Sequence, residues 1–427
     1  MRPAASFAIA AVLQASLVAA QQLPFDEAVA RLKALDPSVR LSAIKLFVES
    51  GYPEAASPIA DVLNDTDERV QQAAVYAELS LLLGVPVRPT HHVGLVVEVR
   101  NSEPAEALFD EGWSTLPMWP VPAAVLTGLL APIAHKDLAF RLEALYTLGV
   151  LAQVDGVPPS PAHAQVAGIL ADRLADPAPA GREAVARVAG RIFRRCPQPC
   201  RLPGLDLLGD ALVHTLNDPE PGVRIAAMGA LGDFRWERAV QALAGLYDYY
   251  KKGDDASAAL SALARIGHPS SVPVFLAALT RKEEPILVAA VEGLARAGSQ
   301  EVAGLPTMLA GQSSAAVRLA VAFAEQRAGL AVRTDRLIAA LDARATRQQA
   351  QDYLVELGTR AVVPVSAALR SALFDAVSPG LRITLIETLS VIGGPKDAAA
   401  VEPLLTDRNK SVAASAERAV TRLKARR

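Results

Sequence analysis

Aromatic residues are scarce in this chain: Phe, Trp and Tyr make up 5% of 427 residues. Few bulky core layers can be built from that supply, so burial must come in many small pieces. Cysteine occurs twice, which excludes a disulfide-framework fold at this length. Neither sign of charge dominates, since 43 Lys+Arg face 45 Asp+Glu for a net charge of -2. A basic nucleic-acid binder is excluded on that balance. No G-x-S-x-G, H-E-x-x-H, glycine-rich phosphate loop or dinucleotide fingerprint occurs, so the motif-borne enzyme classes lose their support. The six histidines are His91, His92, His135, His163, His214 and His268. None precedes Glu and none pairs with another four residues on. What the chain does have is small aliphatic residues: 51% is hydrophobic, mostly Ala, Leu and Val, and 21% is charged. That composition is too apolar and too neutral for disorder.

Residues 1–20 carry a single charge, at Arg2. Arg2 is followed by Ala4 to Ala20 without a charge, and Val18-Ala19-Ala20 precedes Gln21. This is the pattern of a cleaved signal peptide. The run contains Ser6, Gln14 and Ser16 and is less apolar than a retained anchor would be. Charged residues recur through the rest of the chain, and no other stretch is long and apolar enough to span a bilayer. The expectation is an exported protein, periplasmic or secreted, with no stable membrane insertion after cleavage.

A period near 31 residues organises the rest. Segments such as DPSVRLSAIKLFVESG, PEPGVRIAAMGALG and EPILVAAVEGLARAG open with turn residues and continue with apolar positions at i, i+3, i+4 and i+7. Val223, Ala226, Ala227, Ala230 and Leu231 show the spacing, which is one face of an α-helix. The first core positions fall at Val39, Val70, Leu138, Gly181, Val223, Ala256, Leu287, Val317, Arg347, Leu381 and Val412. Between them runs a second helical set, several members of which carry Pro: Pro58, Pro273, Pro306, Pro364 and Pro403. Interior Pro removes a helix hydrogen bond, so each first helix should be bent or start late. Neither helix of a unit can bury its apolar face alone, so the units must stack.

These features resemble the HEAT-repeat family, in particular its short bacterial type. The likeness rests on Pro in the first helix and on Asp36, Asp218 and Asp407 in turns. It rests also on Val39-Arg40, Val223-Arg224, Val317-Arg318 and Leu381-Arg382 at the start of the second helix. It implies an all-α superhelix, an α-solenoid of about eleven helix pairs whose second helices line the concave side. The expected organisation is a signal at 1–20, repeats at 21–83, a degenerate repeat or insertion at 84–121, and repeats at 122–427. Gly181, Arg347 and residues 84–121 depart from the pattern. Exposed Arg–Asp pairs along the stack would contribute about 0–1 kcal/mol each. HEAT-like enzymes that bind iron carry His-Glu pairs, which this sequence lacks.

Two local features stand apart. Cys196 and Cys200, in RRCPQPCR, can form a local disulfide in an oxidising compartment or remain free thiols; their spacing fits neither a redox pair nor a metal site. Residues 84–121 break the period. There GLVVEVR reads as a short strand, and 103–110 as a helix. Glu98, Glu103, Glu106, Asp110 and Glu111 outnumber Arg100, and Trp113 and Trp119 follow. One reading is an acidic patch with exposed aromatics that binds a peptide or cationic partner, because Trp is enriched at binding hot spots. The other is that both tryptophans plug a gap between the flanking repeats. His91-His92 reads as a surface-loop pair or a weak metal site, and the terminal TRLKARR as a helix end complementing its own dipole.

The function expected from all this is a non-enzymatic scaffold or adaptor that holds a protein or peptide, with no cofactor, metal or nucleic acid. The alternative is a HEAT-like lyase-type enzyme or carrier for a tetrapyrrole or similar small ligand.

Overall fold

The structure, a computed structural model, describes residues 24–85, 87, 104–154, 159–371 and 377–426. The proposed signal, GLVVEVR, Glu98, Glu103 and His91-His92 lie outside them. An inner layer of helices runs through the chain: α1 (Pro37–Ser50), α2 (Glu68–Leu83), α3 (Pro104–Asp110), α4 (Leu138–Leu151), α5 (Pro179–Phe193), α6 (Pro221–Asp233), α7 (Gly253–Ile266), α8 (Glu284–Arg296), α9 (Ala315–Arg327), α10 (Arg347–Leu357), α11 (Pro379–Ile392) and α12 (Lys410–Ala425). All but α3 are the second helices of the repeats. From α6 onward their starts fall 31 or 32 residues apart, so stacking preserves the period of the sequence. Outer helices, several of them shorter, such as Val272–Ala278 and Thr334–Ala339, lie between them. No strand occurs among the described residues. The fold is an all-α superhelix.

In the outer layer proline mostly marks a late start, one of the two expected forms, and not a bend. Pro273 and Pro306 sit at the first or second position of their α-helices, and Pro403 does the same in a 3-10 turn. There the missing N–H had no partner to lose. Pro58 also lies near a helix start, in Ala56–Ala60, directly after the 3-10 turn Pro53–Ala55. Of the five, only Pro364 stands well inside its helix. Before Ala56–Ala60, Val272–Ala278 and Leu305–Met308 a 3-10 turn takes the place of a first α-helical turn, so these helices start late.

The core is a line of small contacts. Val185, Val188, Ala189, Ala227, Leu231, Ala259 and Leu263 are fully buried where α5, α6 and α7 meet. The largest fully buried side chains, among them Phe47, Phe193, Phe275, Phe323 and Tyr353, are spread along the array.

An arginine ladder stitches successive repeats together. Arg40, Arg141, Arg182, Arg224 and Arg318 each reach back over their own turn and donate to the carbonyls five and six residues earlier. All but Arg318 also meet an aspartate further along the chain. Arg40–Asp65 is 2.7 Å, Arg141–Asp176 3.0 Å, Arg182–Asp218 2.7 Å and Arg224–Asp255 3.0 Å. Arg382 and Asp407 form the same pair. Asp65, Asp176, Asp218 and Asp407 accept in addition the N–H two residues on.

Three expectations are corrected here. The ladder pairs are not exposed: Arg141 and Asp176 keep 9% and 4% of their side-chain surface. A broken rung therefore leaves a buried charge, a far larger loss than at a surface pair. The departures at Gly181 and Arg347 are only apparent. Gly181 precedes the ladder residue Arg182, and a Cβ on it would lie 2.6 Å from the Asp176 carboxyl. Arg347 bonds Leu341 O and Asp342 O, again six and five residues back. In α4 the position before the ladder arginine belongs to buried Phe140, not to Leu138.

Candidate functional site

Residues 104–121 form a strap across the inner surface. Its helix α3 packs on α4, with Ala105 and Phe109 buried. The Glu143 carboxylate of α4 accepts the Ala105 N–H at 3.1 Å, satisfying a donor at the free end of α3.

Three arginines about one helical turn apart, on α5 and just beyond it, grip the strap. Arg187 meets Glu106 at 3.0 Å, pairs with Asp110, and donates to the Tyr146 hydroxyl at 2.9 Å. Arg191 donates to the carbonyls of Phe109, Gly112 and Thr115, and lies 4.8 Å from the Phe109 ring centroid. Burial, reinforced by nearby Arg194, lowers its pKa to about 10. Arg194 lies 5.0 Å over Trp113.

The strap also reaches the distant end of the array. Trp113 is buried, and its indole N–H donates to Asp352 of α10 at 2.8 Å, 239 residues away. Residues 112–114 touch α11. Arg422 of α12 donates to Pro117 O at 2.7 Å. The Met118 N–H donates to Leu82 O of α2 at 2.8 Å. Helices from both ends of the array are thereby tied to the strap. Beside them Arg195 donates to Val391 O at 3.1 Å, across 196 residues.

These positions correct the reading of exposed aromatics. Trp113 is not presented to solvent, and the gap it fills is not the local one between the flanking repeats. It lies between α5 and α10, because the superhelix curls far enough to bring them together. Trp119 is half-buried, and Glu111 is exposed. Cys196 and Cys200 are bonded in the turn after α5, with Cα atoms 5.5 Å apart.

Two cavities adjoin the strap. The smaller, of about 330 Å³, lies between Phe109, Trp113 and a floor of Gly190, Ala226, Gly229 and Ala230. The larger, of about 910 Å³, is a groove running over α6, α7, α8 and α10. Arginines recur along its edge at the helix ends. Arg265, Arg296 and Arg327 stand in the last turns of α7, α8 and α9 or at their final residue, each followed two residues later by glycine. Positive charge there complements the helix dipole. Arg265 pairs with Asp233 at 2.9 Å. Arg296 meets Glu292 at 2.8 Å and Glu356 at 2.9 Å, and Arg327 meets Glu356 at 3.1 Å. The Tyr353 hydroxyl donates to Glu292 at 2.6 Å. Despite burial, Arg296 holds its proton more tightly than usual because both carboxylates face it, and Arg296 draws the Glu356 pKa down in turn. This Arg-x-Gly repeat is visible in the sequence at the 31-residue period, and an alignment of helix ends rather than helix starts would have found it.

In α6 the pattern is displaced: Asp233-Phe234-Arg235 stands where the neighbours have Arg-x-Gly. Arg235 therefore occupies the left-handed position, at φ 54, that Gly298 and Gly329 fill after α8 and α9 at φ 67 and 72. Arg235→Gly should raise stability by about 1 kcal/mol by relieving that conformation, as read by denaturant unfolding; a loss of stability would show that the guanidinium is held in the fold.

A further contact between strap and array is titratable. Glu387 of α11 lies against Ser114, with Trp113 and Leu116 close by. Burial raises its pKa to about 7; Glu111 adds to this, while Ser114, Arg418 and Arg347 oppose it. The folded chain thus holds this proton more tightly than the unfolded one. Its contribution is full below the unfolded value near 4.5, and is lost as pH rises from there through about 7. Glu387→Gln should flatten that slope and make the chain more stable than wild type at pH 8, by about 3 kcal/mol. Denaturation midpoints at pH 5 and pH 8 check this; equal pH slopes for both proteins would refute it.

Among the described residues no group of three His, Cys, Asp or Glu is arranged to hold a metal ion, and no helix is long and apolar enough to cross a membrane.

Paired helices stacked in one direction, with a concave side built from the second helix of each pair, define an α-solenoid. The family model for the PBS lyase HEAT-like repeat matches residues 223–249, which span α6 and the outer helix after it. The same unit, with the same arginine rung, recurs before and after it, so the matched stretch is one of a series of HEAT-like repeats. No curated protein matches the sequence. Among solved structures it is similar to an engineered protein (16% identity, 94% of this chain and 98% of that one, TM-score 0.36). It is also similar to the CpcE–CpcF complex of phycocyanin lyase from Nostoc sp. PCC7120 (16% identity, 60% and 94%, TM-score 0.40). Importin beta is a third (12% identity, 93% and 65%, TM-score 0.42).

Proposed function

We propose that the protein is a non-enzymatic scaffold or adaptor that holds a protein or peptide partner along its inner groove, in the periplasm or outside the cell. The observation that carries this reading is the 910 Å³ groove itself, which extends over four inner helices and mixes apolar wall with charged edge. Such a surface suits an extended chain. Export rests on the N-terminal sequence and fits the Cys196–Cys200 bond, since disulfides persist in oxidising compartments. In-cell photo-crosslinking from Ser261, which lines the groove, tests the scaffold reading; capture of a defined protein supports it, and turnover of a small molecule without any captured protein overturns it. An intact Met1 on soluble cytoplasmic protein would overturn the export reading.

A second reading, a carrier or lyase-type enzyme for a tetrapyrrole or similar ligand, is favoured by the 330 Å³ cavity, which has the size of a small-molecule site. Gly229 borders it with open space at its Cβ position. Gly229→Leu should fill it; a small-ligand function that survives that substitution does not use this cavity.

A further inference from the structure

The groove contains one charge that stacking does not explain. Of the charged residues lining it, Arg194, Asp233, Arg265, Glu292, Arg296, Asp352 and Glu356 have ion-pair partners, and Arg195 is bonded to Val391 O. The Arg235 side chain has neither hydrogen bond nor ion pair among the described residues, and the residue is exposed. Its charge reaches Glu356 only at longer range, behind Arg296 and Arg327. It also sits in a backbone conformation that a side chain disfavours. The turn is the same as after α8 and α9: the Trp236 N–H returns to Leu231 O at 3.0 Å, as Ser299 does to Leu294 and Leu330 to Glu325. Glycine would close it without strain. An uncommitted guanidinium is thus kept at the groove against local preference.

The strap shows what this inner surface grips. Arg187 takes the carboxylates of Glu106 and Asp110, and Arg191 and Arg194 lie over Phe109 and Trp113. A short acidic segment with aromatic residues three positions from its carboxylates is already seated on α5. The groove beside it offers the same chemistry, with Arg235 as cation and Ala258, Val288 and Ala289 as apolar wall.

We infer that the partner held in the groove presents a second segment of this kind, an acidic peptide with interleaved aromatic residues whose carboxylate bonds Arg235. Guanidinium–carboxylate bonding supplies direction, and the aromatic side chains supply buried area. This rests on the scaffold reading and names the partner class.

The test uses the full chain and a fluorescein-labelled peptide of its own sequence PAEALFDEGW (residues 104–113), followed by fluorescence anisotropy. Saturable binding is expected. Arg235→Gly should weaken it about tenfold or more while leaving the melting temperature equal or higher, which separates lost recognition from lost fold. A peptide with Gln and Asn in place of its acids should bind at least about tenfold more weakly. The proposal is overturned if Arg235→Gly binds as well as wild type, if the neutral peptide binds equally, or if no saturation occurs. Tighter binding of a single-stranded oligonucleotide than of the peptide also overturns it, in favour of a nucleic acid. Proteins crosslinked from Ser261 that lack acidic-aromatic segments would sink this partner class and leave the scaffold reading standing.

Discussion

Trp113→Ala is expected to cost about 3–5 kcal/mol of stability. The indole is buried, covered by Arg194, and hydrogen-bonded to Asp352. Its removal opens a cavity and takes away a partner of Asp352 at the same time. The loss should not stay local. Hydrogen exchange should speed up in α5 and in α10 together, since the side chain joins them. Trp113→Phe keeps most of the ring and loses the N–H, so it should fall between the two. Equilibrium unfolding measures the total; a loss below about 1 kcal/mol for Trp113→Ala would mean that the strap is held by its backbone contacts alone.

Arg296→Met should cost about 3–5 kcal/mol. Arg296 retains 11% of its side-chain surface and neutralises Glu292 and Glu356, which retain 14% and 15%. Methionine fills much of the volume but leaves two carboxylates facing each other, with Arg327 the remaining cation near Glu356. The variant should recover part of its stability as pH falls and the carboxylates protonate. Adding Glu292→Gln should restore part of it at neutral pH, because one of the uncompensated charges is gone. A single variant as stable as wild type at pH 7 would show that the cluster relaxes into solvent.

The stacking of repeats was legible from the chain because each repeat obeys a local rule, with apolar spacing as on Val223, Ala227 and Leu231, a polar turn before, and in most repeats an arginine at the start. Period and helix count followed. The strap was half legible. Its helix and its acidic and aromatic residues could be read, but their partners could not. Trp113 meets Asp352 and Arg422 meets Pro117 only because the superhelix closes on itself, and curvature accumulates from small rotations that no single repeat encodes. The burial of the Arg–Asp rungs was missed for a related reason: the Arg141 guanidinium is covered by the turns of two repeats, and one helix wheel contains neither. Arg235 was invisible because its oddity is a backbone angle; the sequence shows only an arginine where neighbouring repeats have glycine.

A solenoid behaves as a spring, since each coil touches only the next and the whole can lengthen by adding small rotations. Here residues 104–121 act as a tie across the coil, fastened to α2, α5, α10 and α12. The inner diameter is set by the tie rather than by the rotations, and a guest must match a gauge already fixed before it arrives. Unfolding changes character as well. An untied array can fray from its ends one repeat at a time, whereas loosening the terminal helix α12 here also releases a contact to the strap in the middle. Pulling on the ends should therefore give a high first rupture followed by smaller steps, in place of an even series.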